Sequence, residues 1–260
     1  MAGKPMNTIK TLLSSTKPEE IHRGLVLVKE EISQATSTER ESLLEIVSAL
    51  FYIDPLDEPD LVPFVDEAIS IVAQFGVSII PILTQKLDAG DLKAQMAVAH
   101  ALGRIGADAV KPLIMEYDSS QDHARRSFIL YALGKIKSPG IVAALPLALE
   151  AAQSPILELR DTATRALGKF AESVPPSHLP EQERRLCVER LQKNLADPNP
   201  GIRSKAVRSL GKLAKYKHLS LDERTKFKST CLLILGKDEN FEWDRAYIVR
   251  KEAEEALTYA

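Results

Sequence analysis

The chain has 260 residues and a formal charge of −2; 45% of it is hydrophobic and only 5% aromatic. That supports a sizeable core, and a surplus of Leu, Ala, Ile and Val over aromatics suits packed helices better than a sheet sandwich. The balance excludes a globally basic nucleic-acid binder, no apolar run is long enough to span a bilayer, and "MAGKPMNTIKTLLSSTKPEE" lacks the apolar core of an export signal, so a cytoplasmic protein is expected.

In chain order, Thr16-x-x-Glu19, with Pro18 near the first turn, reads as a capping box ahead of "IHRGLVLVKEEI". Thr38-x-x-Glu41 reads the same way before "SLLEIVSALFYI". "DPLDEPDLVP", rich in prolines and acids, marks a bend, and "LVPFVDEAISIVAQFG" is a further helix ending at Gly76. Residues 1–76 are expected to be divergent helical repeats capping a regular array over 77–260, the whole forming one continuous solenoid, with a separate helical domain over 1–76 as the alternative.

Beyond residue 77 a unit recurs. Ala101-Leu102-Gly103, Ala132-Leu133-Gly134, Ala166-Leu167-Gly168 and Ser209-Leu210-Gly211 each close an apolar stretch, at separations of 31, 34 and 43 residues. Pro81, Pro112 and Pro146 precede the following Leu of such a pair by 21 residues. Arg126, Arg160, Arg203 and Arg250 lie seven residues before Leu133, Leu167, Leu210 and Leu257, and six before each Arg stands Ser120, Ser154, Asp197 or Asp244. The unit therefore reads as helix, turn with Asp or Ser, second helix with an early Arg, then a Leu-Gly stop. Asp or Ser is expected to cap the helix, the Arg to reach its own or an adjacent Asp, the proline to bend the first helix, and the glycine to end the second in a left-handed turn. "AESVPPSHLPEQ" and "KYKHLSLDERTK" interrupt the period and read as connecting loops, with Ser220-x-x-Glu223 as a capping box in the second.

The segments "AVAHALGRIGADAVKPLI", "RRSFILYALGKIKSPGIVAALPLAL", "LRDTATRALGKF", "DPNPGIRSKAVRSLGKL" and "DRAYIVRKEAEEAL" resemble HEAT repeats, in particular the short subtype of phycobilin-lyase-like proteins. The resemblance is strong over 77–260 and weak over 1–76. It implies an all-α fold: a right-handed α-solenoid of stacked antiparallel helix pairs, whose second helices line a concave inner face. The motif specifies a fold and leaves function to the side chains on its surface.

The chemistry-bearing residues form no catalytic constellation. His22, His100, His123, His178 and His218 are scattered, and none is followed by Glu, so neither HExxH nor the repeated His-Glu ligands of HEAT-type deoxyhypusine hydroxylase are present. There is no Walker A loop, GxSxG or GxGxxG. Cys187 and Cys231 lie 44 residues apart without metal-ligand spacing and read as reduced, buried thiols. No catalytic residue, cofactor or metal is expected.

Charge is unevenly distributed. Residues 1–180 carry 17 Lys and Arg against 23 Asp and Glu, whereas 181–260 carry 17 against 13. Aligned on the repeat Arg, the second helices show columns: Ala97, Phe128, Thr162, Lys205 and Glu252; then His100, Tyr131, Arg165, Arg208 and Glu255; then Arg104, Lys135, Lys169, Lys212 and Tyr259. In "IRSKAVRSLGKLAK", Lys205, Arg208, Lys212 and Lys215 share a face opposite Ile202, Ala206, Leu210 and Leu213. The candidate partner-binding residues are accordingly His100, Phe128, Tyr131, Arg165, Lys205, Arg208, Lys212 and Lys215, an aromatic and cationic set of the kind enriched in binding hot spots.

Three functions follow in order of preference. The first is a noncatalytic protein-binding scaffold or adaptor using the concave face, its partner another protein with an acidic surface, without nucleic acid or membrane. Second is a phycobilin-lyase-like enzyme or chaperone acting on a chromophore-carrying protein. The third is a nucleic-acid-binding HEAT protein of the alkylpurine DNA glycosylase type, for which Trp243 beside Asp244 superficially suits a base pocket. Asp244 also occupies the repeat turn, and the acidic first two thirds argue against wrapping a duplex.

Overall fold

A computed structural model describes residues 3–87, 90–237 and 242–260. Backbone contacts divide the chain into two compact units, Met1–Pro112 and Leu113–Ala260. The first contains α1 (Gly3–Leu13), α2 (Pro18–Glu31), α3 (Ser37–Ser48), α4 (Val62–Gln74), α5 (Ile80–Lys86) and α6 (Leu92–Ile105). There, α2 packs on α4 and α4 on α6, while α1, α3 and α5 pack against that row. Leu25, Val28, Leu43, Leu44, Ile71 and Val72 are buried between them.

α7 (Val110–Ser119) begins at the boundary. The second unit then holds α8 (His123–Leu133), α9 (Leu145–Ala151), α10 (Leu157–Ser173), α11 (Glu181–Asn194), α12 (Pro200–Lys215), α13 (Leu221–Ile234) and α14 (Tyr247–Ala256). The even-numbered helices α8, α10, α12 and α14 pack one upon the next, and α9, α11 and α13 cover them on one side. Among the described residues there is no strand beyond an isolated bridge, Leu235 to Trp243, and no single helix is long and apolar enough to cross a membrane.

The repeated Arg ties successive turns together in two directions. Arg160, Arg203 and Arg250 each donate back through Nη1 to the carbonyl six residues earlier, of Ser154 (2.6 Å), Asp197 (2.9 Å) and Asp244 (2.7 Å). Arg160 Nε also donates forward to Asp197 Oδ2 (2.7 Å), and Arg203 Nε to Asp244 Oδ2 (2.7 Å), the carboxylate of the next turn. Each such Asp accepts the amide two residues on, Asn199 (2.8 Å) or Ala246 (2.9 Å), and so closes its own turn. Where Ser154 replaces Asp there is no carboxylate to receive the preceding Arg; Arg126 instead donates to the Tyr117 carbonyl (3.1 Å) and lies over that ring.

Several local expectations need correction. Asp197 does not cap α12; Asn199 does, accepting from Gly201 N at 2.8 Å. The first capping box is absent, since α2 starts after Lys17 with no side-chain cap. The second sits two residues earlier than expected, at Thr36 and Glu39, because Thr36 rather than Thr38 has the extended backbone a cap requires. The Ser220–Glu223 box forms as expected. Pro81 and Pro146 stand in the first turns of α5 and α9, just after short 3-10 helices, where no amide donor is needed, and so do not bend a helix interior.

Three of the four Leu-Gly pairs are not stops; only α8 ends at its pair, Leu133-Gly134. α6, α10 and α12 run through Gly103, Gly168 and Gly211, and Gly134, at the end of α8, keeps a right-handed backbone. The reason for the glycine is proximity. A Cβ on Gly168 would lie 2.4 Å from Ser209 Oγ and 2.7 Å from Ser209 Cα, and one on Gly211 would lie 3.1 Å from Ala256 Cβ. At these points each even-numbered helix rests on the next.

The two interruptions brace each other. Lys217, at φ 63°, turns the chain after α12 so that His218 enters the core and its Nε2 donates to the Ala171 carbonyl at 3.0 Å. Arg184 of α11 donates to the His218 carbonyl (2.9 Å) and pairs with Glu223 (2.7 Å). Burial pushes the His218 pKa below its ordinary 6.5, and its hydrogen bond to the Ala171 carbonyl offsets this only in part. The unfolded chain therefore binds this proton more readily than the folded one, so stability is lost as pH falls below about 6.5. We expect a lower melting temperature at pH 5.5 than at pH 7.5, and a smaller difference in His218→Asn. Glu172, Glu223 and Asp244 do not add to the fall in that window, since their carboxyls are held below the ordinary range. Equal pH dependence in the two proteins would contradict this assignment.

Candidate functional site

One face of the α8–α10–α12–α14 row carries most of the candidate residues. On α12, Lys205, Arg208, Lys212 and Lys215 follow one another at three- and four-residue steps, which aligns them on one side of the helix. Three of the four are bonded across to a neighbouring helix: Lys205 to Asp161 of α10, Arg208 to Glu252 of α14 (Nε to Oε2 2.7 Å), and Lys212 to Glu172 of α10 (2.6 Å). Glu252 is buried, and its pairing supports the stacking of α14 on α12. These three cations therefore belong to the architecture as well as to the surface.

Glu172 serves two ammonium groups, since Lys169 lies 3.1 Å from the same carboxylate. Burial alone would raise the Glu172 pKa, but hydrogen bonds from Lys212 and Lys169 outweigh it and hold the carboxyl below the ordinary range. Burial pushes the Lys212 ammonium down to about 8, so below that pH the trio carries one excess positive charge.

Two further stations combine cations with aromatic rings. Tyr131 of α8 has Lys135 Nζ 4.7 Å and Arg165 Cζ 5.6 Å from its ring centroid. Among the described residues neither cation has a carboxylate within ion-pair distance. Lys215 Nζ lies 4.9 Å from the Tyr259 ring and 5.8 Å from the Tyr216 ring, likewise without a carboxylate partner among the described residues. A cleft of about 210 Å³ opens beside it between α12 and α14, lined by Arg208, Lys212, Lys215, Tyr216, Glu252 and Tyr259.

Phe128 is half-buried on α8. His100 lies on α6 in the first unit, whereas the other seven residues lie in the second. Trp243 is exposed and stacked by Arg250 at 4.8 Å, while Asp244 next to it accepts both Nε and Nη2 of Arg203, so that carboxylate is engaged in the repeat. Both cysteines are buried, which pushes each thiol up to about 12. Among the described residues no group of three or more His, Cys, Asp or Glu side chains is placed to hold a metal ion.

The columns could not reveal Tyr259 as the partner of Lys215. A four-residue step places Lys135 beside Tyr131, but the pairing of Lys215 with Tyr259 needs the register of α12 against α14.

No family model and no curated protein matches the chain. Solved structures do. The complex of CpcE and CpcF of phycocyanin lyase from Nostoc sp. PCC7120 is similar with a TM-score of 0.55 and 21% identity, over 69% of this chain and 98% of that one. A designed armadillo repeat protein in complex with the peptide (KR)4 is similar at TM-score 0.51 and 14% identity, over 98% of both chains. Kap121p bound to Nup53p is similar at TM-score 0.58 and 14% identity, over 98% of this chain but only 29% of that one. Identities this low speak to fold, not to activity. By its helix order, its repeated turns and these likenesses, the chain has the all-helical solenoid fold of the HEAT and armadillo kind.

Proposed function

We propose that this chain is a noncatalytic protein-binding scaffold or adaptor, and that its partner sits on the exposed face of α8, α10, α12 and α14. The observation that carries the reading is the pair Lys135 and Arg165, both set against the Tyr131 ring and neither neutralised by a carboxylate among the described residues. Stacking the helices does not require these charges, and cations held on an aromatic platform suit recognition of an anionic group. Such charges govern encounter and specificity with an acidic surface more than raw affinity. The peptide-bound armadillo design and Kap121p bound to Nup53p support the reading by analogy of fold. The likeness to CpcE and CpcF supports a lyase-type role by fold alone; a shifted visible spectrum on mixing with a bilin would speak for it.

Affinity capture with quantitative mass spectrometry tests the scaffold reading. Lys135→Glu/Arg165→Glu is expected to lose the captured partner, whereas Lys226→Glu/Lys228→Glu on α13 retains it. Recovery at equal strength by both variants would contradict the proposed face.

A further inference from the structure

Between α8 and α10 lies a shallow basin lined by Tyr131, Gly134, Lys135, Thr162, Arg165 and Lys169. Lys135 and Arg165 are half-buried there, and both lie against the Tyr131 ring. Apart from that ring contact, neither side chain makes a hydrogen bond or ion pair with another described residue. Lys169 is the third cation, and the carboxylate it meets, that of Glu172, is shared with Lys212. Gly134 adds no side chain to fill the space. A half-buried cation without an acceptor has given up part of its hydration for nothing in exchange, so an arriving anion meets donors already in place.

We propose that this basin binds a phosphoryl group carried on a serine or threonine side chain of the partner protein. This rests on the reading of the face as the binding surface, and it makes docking there depend on phosphorylation of the partner. Charge favours phosphate over carboxylate. Lys135 and Arg165 bring positive charges that no carboxylate among the described residues offsets. A carboxylate cancels one of them, whereas a phosphate monoester carries about −1.5 to −2 at pH 7 and cancels both. The donors favour it too. An ammonium from the end of α8, a guanidinium fork and an ammonium from α10, and the Thr162 hydroxyl together serve all of its terminal oxygens. The Tyr131 ring holds both unpaired cations beforehand, which lowers the entropy lost on binding.

A polymer of phosphates fits less well. Asp161 and Glu172 stand at either end of the basin's α10 residues, the first held by Lys205 and the second by Lys169 and Lys212. A single phosphoryl group avoids both carboxylates, whereas a nucleic acid brings another phosphate toward them at every nucleotide.

Fluorescence anisotropy tests the basin with a fluorescein-labelled peptide of about eight residues, Gly, Ala and Ser around one central phosphoserine. Its comparators carry Glu or unmodified Ser at that position. The phosphopeptide is expected to bind at least about tenfold more tightly than either, with affinity falling as salt rises. Lys135→Gln/Arg165→Gln should weaken it at least about tenfold with helical circular dichroism unchanged, while Lys226→Gln/Lys228→Gln leaves it as it was. Equal affinity of the phosphopeptide and the Glu peptide, both weakened by Lys135→Gln/Arg165→Gln, overturns the preference for phosphate and leaves the face standing. Failure of the phosphopeptide to bind, while partner capture still depends on Lys135 and Arg165, overturns the phosphoryl site alone. Indifference of both peptide binding and capture to those residues overturns the face beneath it. Inorganic phosphate binding as tightly as the phosphopeptide overturns the protein partner in favour of a free anion, and tighter binding of an oligothymidylate overturns it in favour of nucleic acid.

Discussion

Asp197→Ala is expected to destabilise the second unit by about 3 kcal/mol. The residue is only 9% exposed, and its carboxylate does two things at once. Oδ2 accepts from Arg160 Nε, whose side chain is itself largely buried, and Oδ1 accepts the Asn199 amide that opens the turn before α12. Truncation leaves a partly buried guanidinium and a turn amide without their acceptor. Arg160 keeps its bond to the Ser154 carbonyl, which is why the expectation sits at the lower end of the cost of breaking a buried pair. Asp197→Asn retains an acceptor and loses the charge, so it should cost less, about 1–2 kcal/mol. Urea denaturation reads both as a shift in midpoint at unchanged slope. An alanine variant within about 0.5 kcal/mol of the parent would show that the Arg–Asp link between turns is incidental.

Gly168→Ala is expected to destabilise by about 2 kcal/mol, although alanine is the better helix former by about 1 kcal/mol. The added methyl would meet the Ser209 backbone as well as its side chain, so a rotamer change cannot relieve the contact. α12 must then move off α10. That displacement breaks the bond from Ser209 Oγ to the Thr164 carbonyl (2.9 Å) and disturbs Asn194, which donates to Thr164 Oγ1 (2.7 Å) and to the Ala152 carbonyl (3.0 Å). All three polar side chains are buried, so a lost partner is not replaced by water. Gly134→Ala is the control: its nearest neighbour on α10, Lys169 Cβ, would be 3.8 Å away, an ordinary contact. Thermal melts should separate the two substitutions clearly. Equal stability would mean that the helices are not held at the closeness Gly168 implies.

These two sites also show how much the sequence discloses. The Arg and the Asp or Ser six residues before it were legible because both belong to one local turn with a fixed spacing. That the Arg would also bridge forward to the next Asp was one of two options, and Arg203 takes both, one through the carbonyl of its own turn and one through the carboxylate of the next. Gly168 and Gly211 were visible as recurrent but were assigned a local role as helix stops. Their actual role lies in a helix some forty residues away, and no local rule supplies that contact. The pairings of Lys205, Arg208 and Lys212 were hidden for the same reason: their partners Asp161, Glu252 and Glu172 come from other repeats. Lys215, Lys135 and Arg165 keep their surplus charge in the folded chain. The register that sets them on tyrosine rings was legible for Lys135, one helical turn from Tyr131, and for Arg165, which shares the Tyr131 column, but not for Lys215.

Lysine footprinting tests the central claim most directly. The protein is acylated with and without its captured partner, and the modification of each lysine is measured by mass spectrometry. Lys135 and Lys215 are expected to be protected in the complex while Lys226 and Lys228 on α13 are modified as before. Protection of Lys226 and Lys228, with Lys135 and Lys215 unchanged, would contradict it.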